Sequence, residues 1–139
     1  CSLQNYIINN KYDAIVSNPP FYNATYLSTD KDRNTARQTI DLSFEELIYG
    51  ASNMLNNTGK LYIIIPYEPR SHLAKIAFAN KLFLSKALEI IDNQNSIRIL
   101  MTFSKVENYK GVEQLVIREN NFYSKRYQEI LNNFFFKQS

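Results

Sequence analysis

The sequence predicts an α/β domain in which parallel strands are followed by antiparallel edge strands and a closing C-terminal helix. Three observations carry that prediction. Two short runs, "YDAIVS" and "LYIIIP", are apolar without alternation, as strands of a parallel sheet covered on both faces are. A segment with helical spacing follows each of them, and strand–helix units in series imply a parallel sheet with right-handed crossovers. Beyond residue 82 the period changes to two, and strands succeed one another closely.

The elements can be justified in order. Tyr12–Ser17 reads as a buried strand, with Ala14, Ile15 and Val16 consecutive and apolar. Residues 22–42 are polar and read as a long irregular excursion, of the kind that is usually functional or mobile. A helix is expected from about Phe44 to Asn56. Ser43 and Glu46 match the S-x-x-E capping box that would open it, and Phe44, Leu47, Ile48, Ala51 and Leu55 fall on one face. "NNTGK" supplies turn residues to close it. Leu61–Pro66 is the second strand, too apolar to face water on either side, and the next helix spans about Ser71 to Lys81 with Leu73, Ile76 and Ala77 inward. "FLSKALEII" and "SIRILMTFSK" read as two strands; in the second, Ile97, Ile99, Met101 and Phe103 alternate with Arg98, Leu100 and Thr102. "VEQLVIRE" is a further strand. "SKRYQEILNNFF" is an amphipathic helix carrying Tyr127, Ile130, Leu131, Phe134 and Phe135.

Composition excludes several classes. Of the 139 residues, 45% are hydrophobic and 21% charged, the balance of a globular protein and not of a disordered one. No apolar run approaches the roughly 20 residues of a membrane span. No basic segment precedes an apolar one near the start, so no signal peptide is visible. The lone cysteine, Cys1, permits no internal disulfide and fits a reducing cytoplasm; with one histidine in the chain it is a poor nucleophile. A net charge of +3 is compatible with a polyanionic partner without demonstrating one. The first residue is not Met, and no repeat or linker divides the chain, so residues 1–139 read as a single partial domain.

The motif that carries chemistry is "NPPF", Asn18 to Phe21, at the end of the first strand. In open α/β sheets, ligands sit outside the carboxyl ends of the strands. The Asn18 side-chain oxygen and the Pro19 carbonyl are acceptors, and neither Pro19 nor Pro20 has an N–H to compete for them. The prolines fix φ near −65° (about that value in any proline), so the acceptors lose little further entropy on binding. Two converging acceptors suit an NH2 group on a flat π system. Binding both hydrogens pulls the nitrogen toward tetrahedral geometry and aims its lone pair away from the ring, while Phe21 offers a face for stacking.

"NPPF" after an apolar strand resembles the catalytic motif of class I S-adenosylmethionine-dependent amino-methyltransferases. The order "YDAIVSNPPFY", Arg33, Ala36 and Arg37, "LSFEELI", "GKLYIIIPYE" and "LVIRENNFYSKRYQEIL" is similar to one branch, the tRNA1(Val) adenine-N6 methyltransferases, which modify the adenine next to the anticodon of a valine tRNA. The terminal strand–helix segment, with "FYS" opening the helix, favours this branch over the glutamine methyltransferases. The resemblance implies a Rossmann-like fold, an S-adenosyl-L-methionine cofactor, a tRNA substrate, and methyl transfer to the N6 amino group of an extruded adenine. It assigns Asn18, Pro19, Pro20 and Phe21 to catalysis, with the first two holding the amine and Phe21 stacking on the base. Tyr22 would line the pocket, and Arg33 and Arg37 would contact substrate. Runner-up readings are a guanine-N2 enzyme of rRNA, a glutamine-N5 enzyme of protein, and a non-catalytic RNA-binding remnant.

The same resemblance identifies what the chain lacks. The family binds its cofactor through a glycine-rich turn after its first strand, and Gly50, Gly59 and Gly111 do not stand in such a turn. The chain is expected to begin just before the fourth strand of the fold. It would then be the carboxy-terminal half of the domain, with the N-terminal cofactor-binding half as its partner and only Ser2 and Leu3 near the cofactor's adenine. That half would also cover the otherwise unpaired edge of the first strand.

Other candidates are weaker. Lys31, Arg33 and Arg37 could meet RNA phosphates, although Asp30 and Asp32 partly cancel their charge. Lys125 and Arg126 read as a solvated face. His72 has no Cys or second His nearby, so no metal is expected. Phe134, Phe135 and Phe136 read as core packing ahead of a base-stacking platform, and Tyr26 suits either role.

Overall fold

A computed structural model of the protein describes residues 11–20 and 30–135. Its elements in chain order are β1 (Tyr12–Ser17), α1 (Asp30–Met54), β2 (Leu55–Pro66), α2 (Arg70–Ala79), β3 (Phe83–Asp92), β4 (Asn95–Ser104), β5 (Val112–Glu119), β6 (Phe122–Tyr123) and α3 (Lys125–Phe135). The strands form one six-stranded sheet in the order β1-β2-β4-β3-β5-β6.

The α/β class and the two opening strand–helix units are as the sequence predicts. β1 and β2 pair in parallel, with Ile15 opposite Leu61 and Ser17 opposite Ile63. β4 then inserts between β2 and β3, antiparallel to both, with Ile63 and Ala87 each opposite Met101. β5 runs parallel to β3, which the succession of strands alone did not reveal. In consequence β1, β2, β3 and β5 all end at the same edge of the sheet. The two-residue β6, absent from the sequence reading, pairs antiparallel with β5.

The core lies between the sheet and the α1–α2 layer. Leu61, Ile63 and Ile65 of β2 and Ile99, Met101 and Phe103 of β4 are buried on one sheet face beneath Phe44, Ile48 and Ala51 of α1 and Leu73, Ile76 and Ala77 of α2. All these positions belong to a sequence-predicted core face, the apolar second strand or the strand alternation; in that alternation only Ile97 lies outside the core, at the exposed start of β4. The opposite face differs from expectation: Tyr62 and Ile64 are only half-buried and Val16 is exposed, so "LYIIIP" is sealed on one face and half-open on the other.

Three features depart from the sequence reading. α1 begins at Asp30, so Asp30–Leu42 is helical and Ser43 lies mid-helix, where the predicted capping box with Glu46 has no helix end to cap. No glycine or proline interrupts the chain from Asp30 to Tyr49, and extending a packed helix costs far less than nucleating one. β2 takes up the whole of "NNTGK": the Thr58 N–H and hydroxyl donate to Asn56 Oδ1 at 2.9 and 3.2 Å, so the turn chemistry survives as an irregularity where β2 meets β1. A Cβ added at Gly59 would lie 2.7 Å from the Tyr12 carbonyl oxygen and 2.8 Å from Leu55 Cδ2. Finally, α3 has no buried residue: Phe134 is 73% and Phe135 65% exposed, so they are not core. Their rings meet each other edge to face, at 5.2 Å between centroids. The helix touches β5 through its first turns instead, with Arg126 Nη1 donating to the Gln114 carbonyl at 3.0 Å and Nη2 3.6 Å from Glu113, so Arg126 is not merely solvated.

Two substitutions test this packing by chemical denaturation. Phe103→Ala should destabilise the protein by about 3–5 kcal/mol, since a fully buried ring would leave a cavity. Gly59→Ala should cost about 1–3 kcal/mol by overpacking against the β1 backbone. A midpoint unchanged in either variant would contradict the packing described.

Candidate active site

The sequence-predicted catalytic stretch stands at the rim where four strands end. Ser17 closes β1; Asn18 follows it exposed, Pro19 half-buried and Pro20 exposed. Proline stops the strand because it cannot donate to the ladder, so the acceptors of Asn18 and Pro19 sit just beyond the last β1 register pair. Arg33 lies exposed in the first turns of α1 and has a partner of its own. Phe21, Tyr22, Tyr26, Ser2, Leu3 and the Arg37 side chain lie outside the described residues, as does Phe136.

The same rim carries polar residues that the sequence reading missed. Tyr67 follows β2 directly, its N–H donating to the Ile97 carbonyl at 3.3 Å. Arg70, the first residue of α2, places its guanidinium carbon 3.6 Å from the Tyr67 ring centroid, and its Nη1 donates to the Tyr67 carbonyl at 2.9 Å. Near them, Glu89 accepts from the Ser96 hydroxyl and, at 3.0 Å, from Gln114 Nε2. Ser96 first and Gln114 second hold its carboxyl below the usual carboxylate range, against a smaller effect of burial. The signal available in the sequence was the "PYEPR" turn after a strand's carboxyl end, which places an aromatic and a cation three residues apart.

Farther along, two hairpin tips are clipped together. Asn93, Gln94, Asn120 and Asn121 all have positive φ, the left-handed pairs of two-residue turns whose twist matches the flanking strands. Asn93 Nδ2 donates to Asn121 Oδ1 at 3.2 Å, and the Asn121 N–H donates to Asn93 Oδ1 at 2.9 Å. Arg118 forks onto Asp92 beside them, and those hydrogen bonds hold Asp92 below its ordinary value.

Among the described residues no cluster of His, Cys, Asp and Glu could hold a metal ion, and no helix is long and apolar enough to cross a membrane. His72 sits 6.5 Å from Phe44, ring to ring. Nor do the described residues include a glycine-rich strand-to-helix turn: Gly50 is inside α1, Gly59 is packed against β1, and Gly111 precedes β5 with φ +97°. Among the described residues the rim thus presents the Asn18 and Pro19 acceptors and no glycine-rich turn.

No family model matches the chain. Among curated proteins it is 32% identical over 130 residues to the tRNA1(Val) (adenine(37)-N6)-methyltransferase of Christiangramia forsetii, covering 91% of this chain and 54% of that protein. Proteins of the same name from Bacteroides fragilis (33%, 91% of this chain and 55% of the relative) and Mannheimia succiniciproducens (33%, 90% and 52%) match similarly. The chain is a homologue of these methyltransferases. It spans about half the length of the curated relatives it matches. Among solved structures it resembles a protein of Agrobacterium tumefaciens assigned by prediction as an O-methyltransferase, with a TM-score of 0.62 and 16% identity over 88% of this chain and 51% of that one. A Listeria monocytogenes protein assigned to the class I S-adenosylmethionine-dependent methyltransferases gives 0.55 and 13%, over 94% and 44%. The fold is that of the class I methyltransferases, as the motif implied.

The hairpin clip sets a pH dependence. Asp92 has a lowered pKa in the fold, so its contribution is complete above the unfolded value of about 3.9 and is lost as pH falls through the folded one. Hydrogen-exchange protection of the Asn93 and Asn121 amides should therefore fall on acidification below about pH 4. Asp92→Asn should remove that dependence; protection that stays level in the unsubstituted protein would contradict the clip.

Proposed function

We propose that the protein methylates the N6 amino group of an adenine in tRNA, the adenine next to the anticodon of a valine tRNA, with S-adenosylmethionine as methyl donor. The observation that carries this reading is the position of Asn18-Pro19-Pro20 at the carboxyl end of β1, in a class I methyltransferase sheet whose curated homologues share that activity in their names. Adenine is preferred over the guanine and glutamine alternatives because the relatives from three genera agree on it.

In this reading the Asn18 Oδ1 and the Pro19 carbonyl accept the two N6 hydrogens. Conjugation of the nitrogen with the ring is weakened, and its lone pair is aimed at the methyl group that the cofactor supplies. Phe21 stacks on the base and Tyr22 lines the pocket, with Arg33 and Arg37 on the RNA backbone. The adenine must leave its stack to enter, as bases do wherever an enzyme works on their edge. Catalysis is mostly positioning, and the surplus proton leaves to solvent after transfer. The described rim has no cofactor cradle, so this chain is assigned the substrate half of the domain; Ser2 and Leu3 would be its nearest approach to the cofactor. Such an enzyme works where tRNA is, in the cytoplasm.

The test is Asn18→Ala in the full protein, assayed by mass spectrometry of the tRNA nucleosides. Methylation should fall by at least about 100-fold, the scale of losing a preorganised polar contact to the reacting group, while tRNA affinity stays within a few-fold. Activity retained in that variant would remove Asn18 from the reaction.

A further inference from the structure

Arg70 is poorly explained by stability. It stands at the positive end of α2, whose first turn holds no acidic residue, and a cation there is disfavoured by about 0.3–1 kcal/mol. Stacking on the Tyr67 ring returns a similar amount, about 0.5–1 kcal/mol at a partly exposed site, so the fold gains nothing clear from the charge. Among the described residues no carboxylate lies within ion-pair distance of it. Glu89 is near enough to feel the charge, but its oxygens are taken by Ser96 and Gln114.

What the arrangement does provide is a guanidinium ordered in advance. The ring holds its plane and the Tyr67 carbonyl takes one N–H, while its other donors have no protein partner among the described residues. A planar fork of N–H groups matches phosphate oxygens in pairs, and ordering it beforehand lowers the entropy lost on binding. Its place also suits substrate. Ser17 is in register with Ile63, so Tyr67 lies four residues farther along the neighbouring strand. That is about 13 Å along and about 4.8 Å across from the end of β1, on the rim that carries Asn18 and Pro19.

We propose that Arg70, held on Tyr67, is a backbone-phosphate anchor for the RNA substrate, fixing the strand while its base enters the Asn18–Pro19 site. The inference rests on the function proposed above. Phosphate contacts position a nucleic acid without reading its sequence, so Arg70 sets affinity and register and leaves the choice of base to the NPPF stretch.

The experiment compares the full protein with its Arg70→Ala and Arg70→Lys variants in steady-state methylation of tRNA and in tRNA binding across a salt series. Arg70→Ala should raise KM and Kd for tRNA roughly 10-fold, as expected for one charge-assisted contact, with kcat within about two-fold. The slope of log affinity against log salt should fall by about one. Arg70→Lys should keep the salt slope and regain part of the affinity, since a point charge replaces the fork. An unchanged KM and salt slope in Arg70→Ala, beside an active unsubstituted protein, would overturn the anchor alone. A loss that Arg70→Lys shares in full, with a lowered melting temperature, would mark a structural role and overturn it too. An unsubstituted protein that neither binds nor methylates tRNA would overturn the proposed function and the anchor with it.

Discussion

The structure depends on the burial of one face of β2. Leu61, Ile63 and Ile65 are inaccessible to solvent, and their strand is bonded on one side to β1 and on the other to β4. Side chains alternate along a strand, so a slip of one residue would carry this whole row to the opposite face and bring Tyr62 and Ile64 inward. The helices make the same demand from above, since Phe44, Ile48 and Leu73 cover that row. Register is thereby specified on both sides of β2. Parallel pairing with β1 places Asn18 and Pro19 just beyond the Ser17–Ile63 pair, and antiparallel pairing with β4 brings Ile97 to Tyr67.

The rim that results is polar, with charges of both signs. Two of its acidic groups are engaged internally, Glu89 by Ser96 and Gln114 and Asp92 by Arg118, while Glu68 and Glu119 are exposed. Beside those two carboxylates the rim presents the acceptors after β1, the carboxamides of two linked turns, and a stacked guanidinium. The four left-handed residues of those turns are Asn or Gln, and the side chains of Asn93 and Asn121 tie the two turns together across the gap.

The two faces of the sheet are unequal. One is sealed by α1 and α2. The other leaves Tyr62, Ile64, Leu88 and Leu100 half-buried and Val16 open to solvent among the described residues. At the far end of α3 the Phe134–Phe135 pair is likewise exposed, although the spacing of the helix is amphipathic. Apolar periodicity reports that a face is suited to burial; whether another element reaches it depends on where the chain runs.

The sequence by itself determined the class of the fold, the core faces of α1 and α2, the alternation of β4, and the stretch bearing the NPPF motif. These rest on local physics: apolar period, proline geometry, and a motif of four adjacent residues. The N-terminal reach of α1 was legible only in hindsight, since Asp30–Leu42 is polar and its helix propagates from packing made farther on. The strand order, the parallel return of β5 and the approach of Glu89 to Tyr67 and Arg70 were decided by tertiary structure alone. Glu89, Ser96 and Gln114 are dispersed over 26 positions of sequence and meet because three strands fix their spacing. No local pattern can encode a contact whose geometry is set by sheet register.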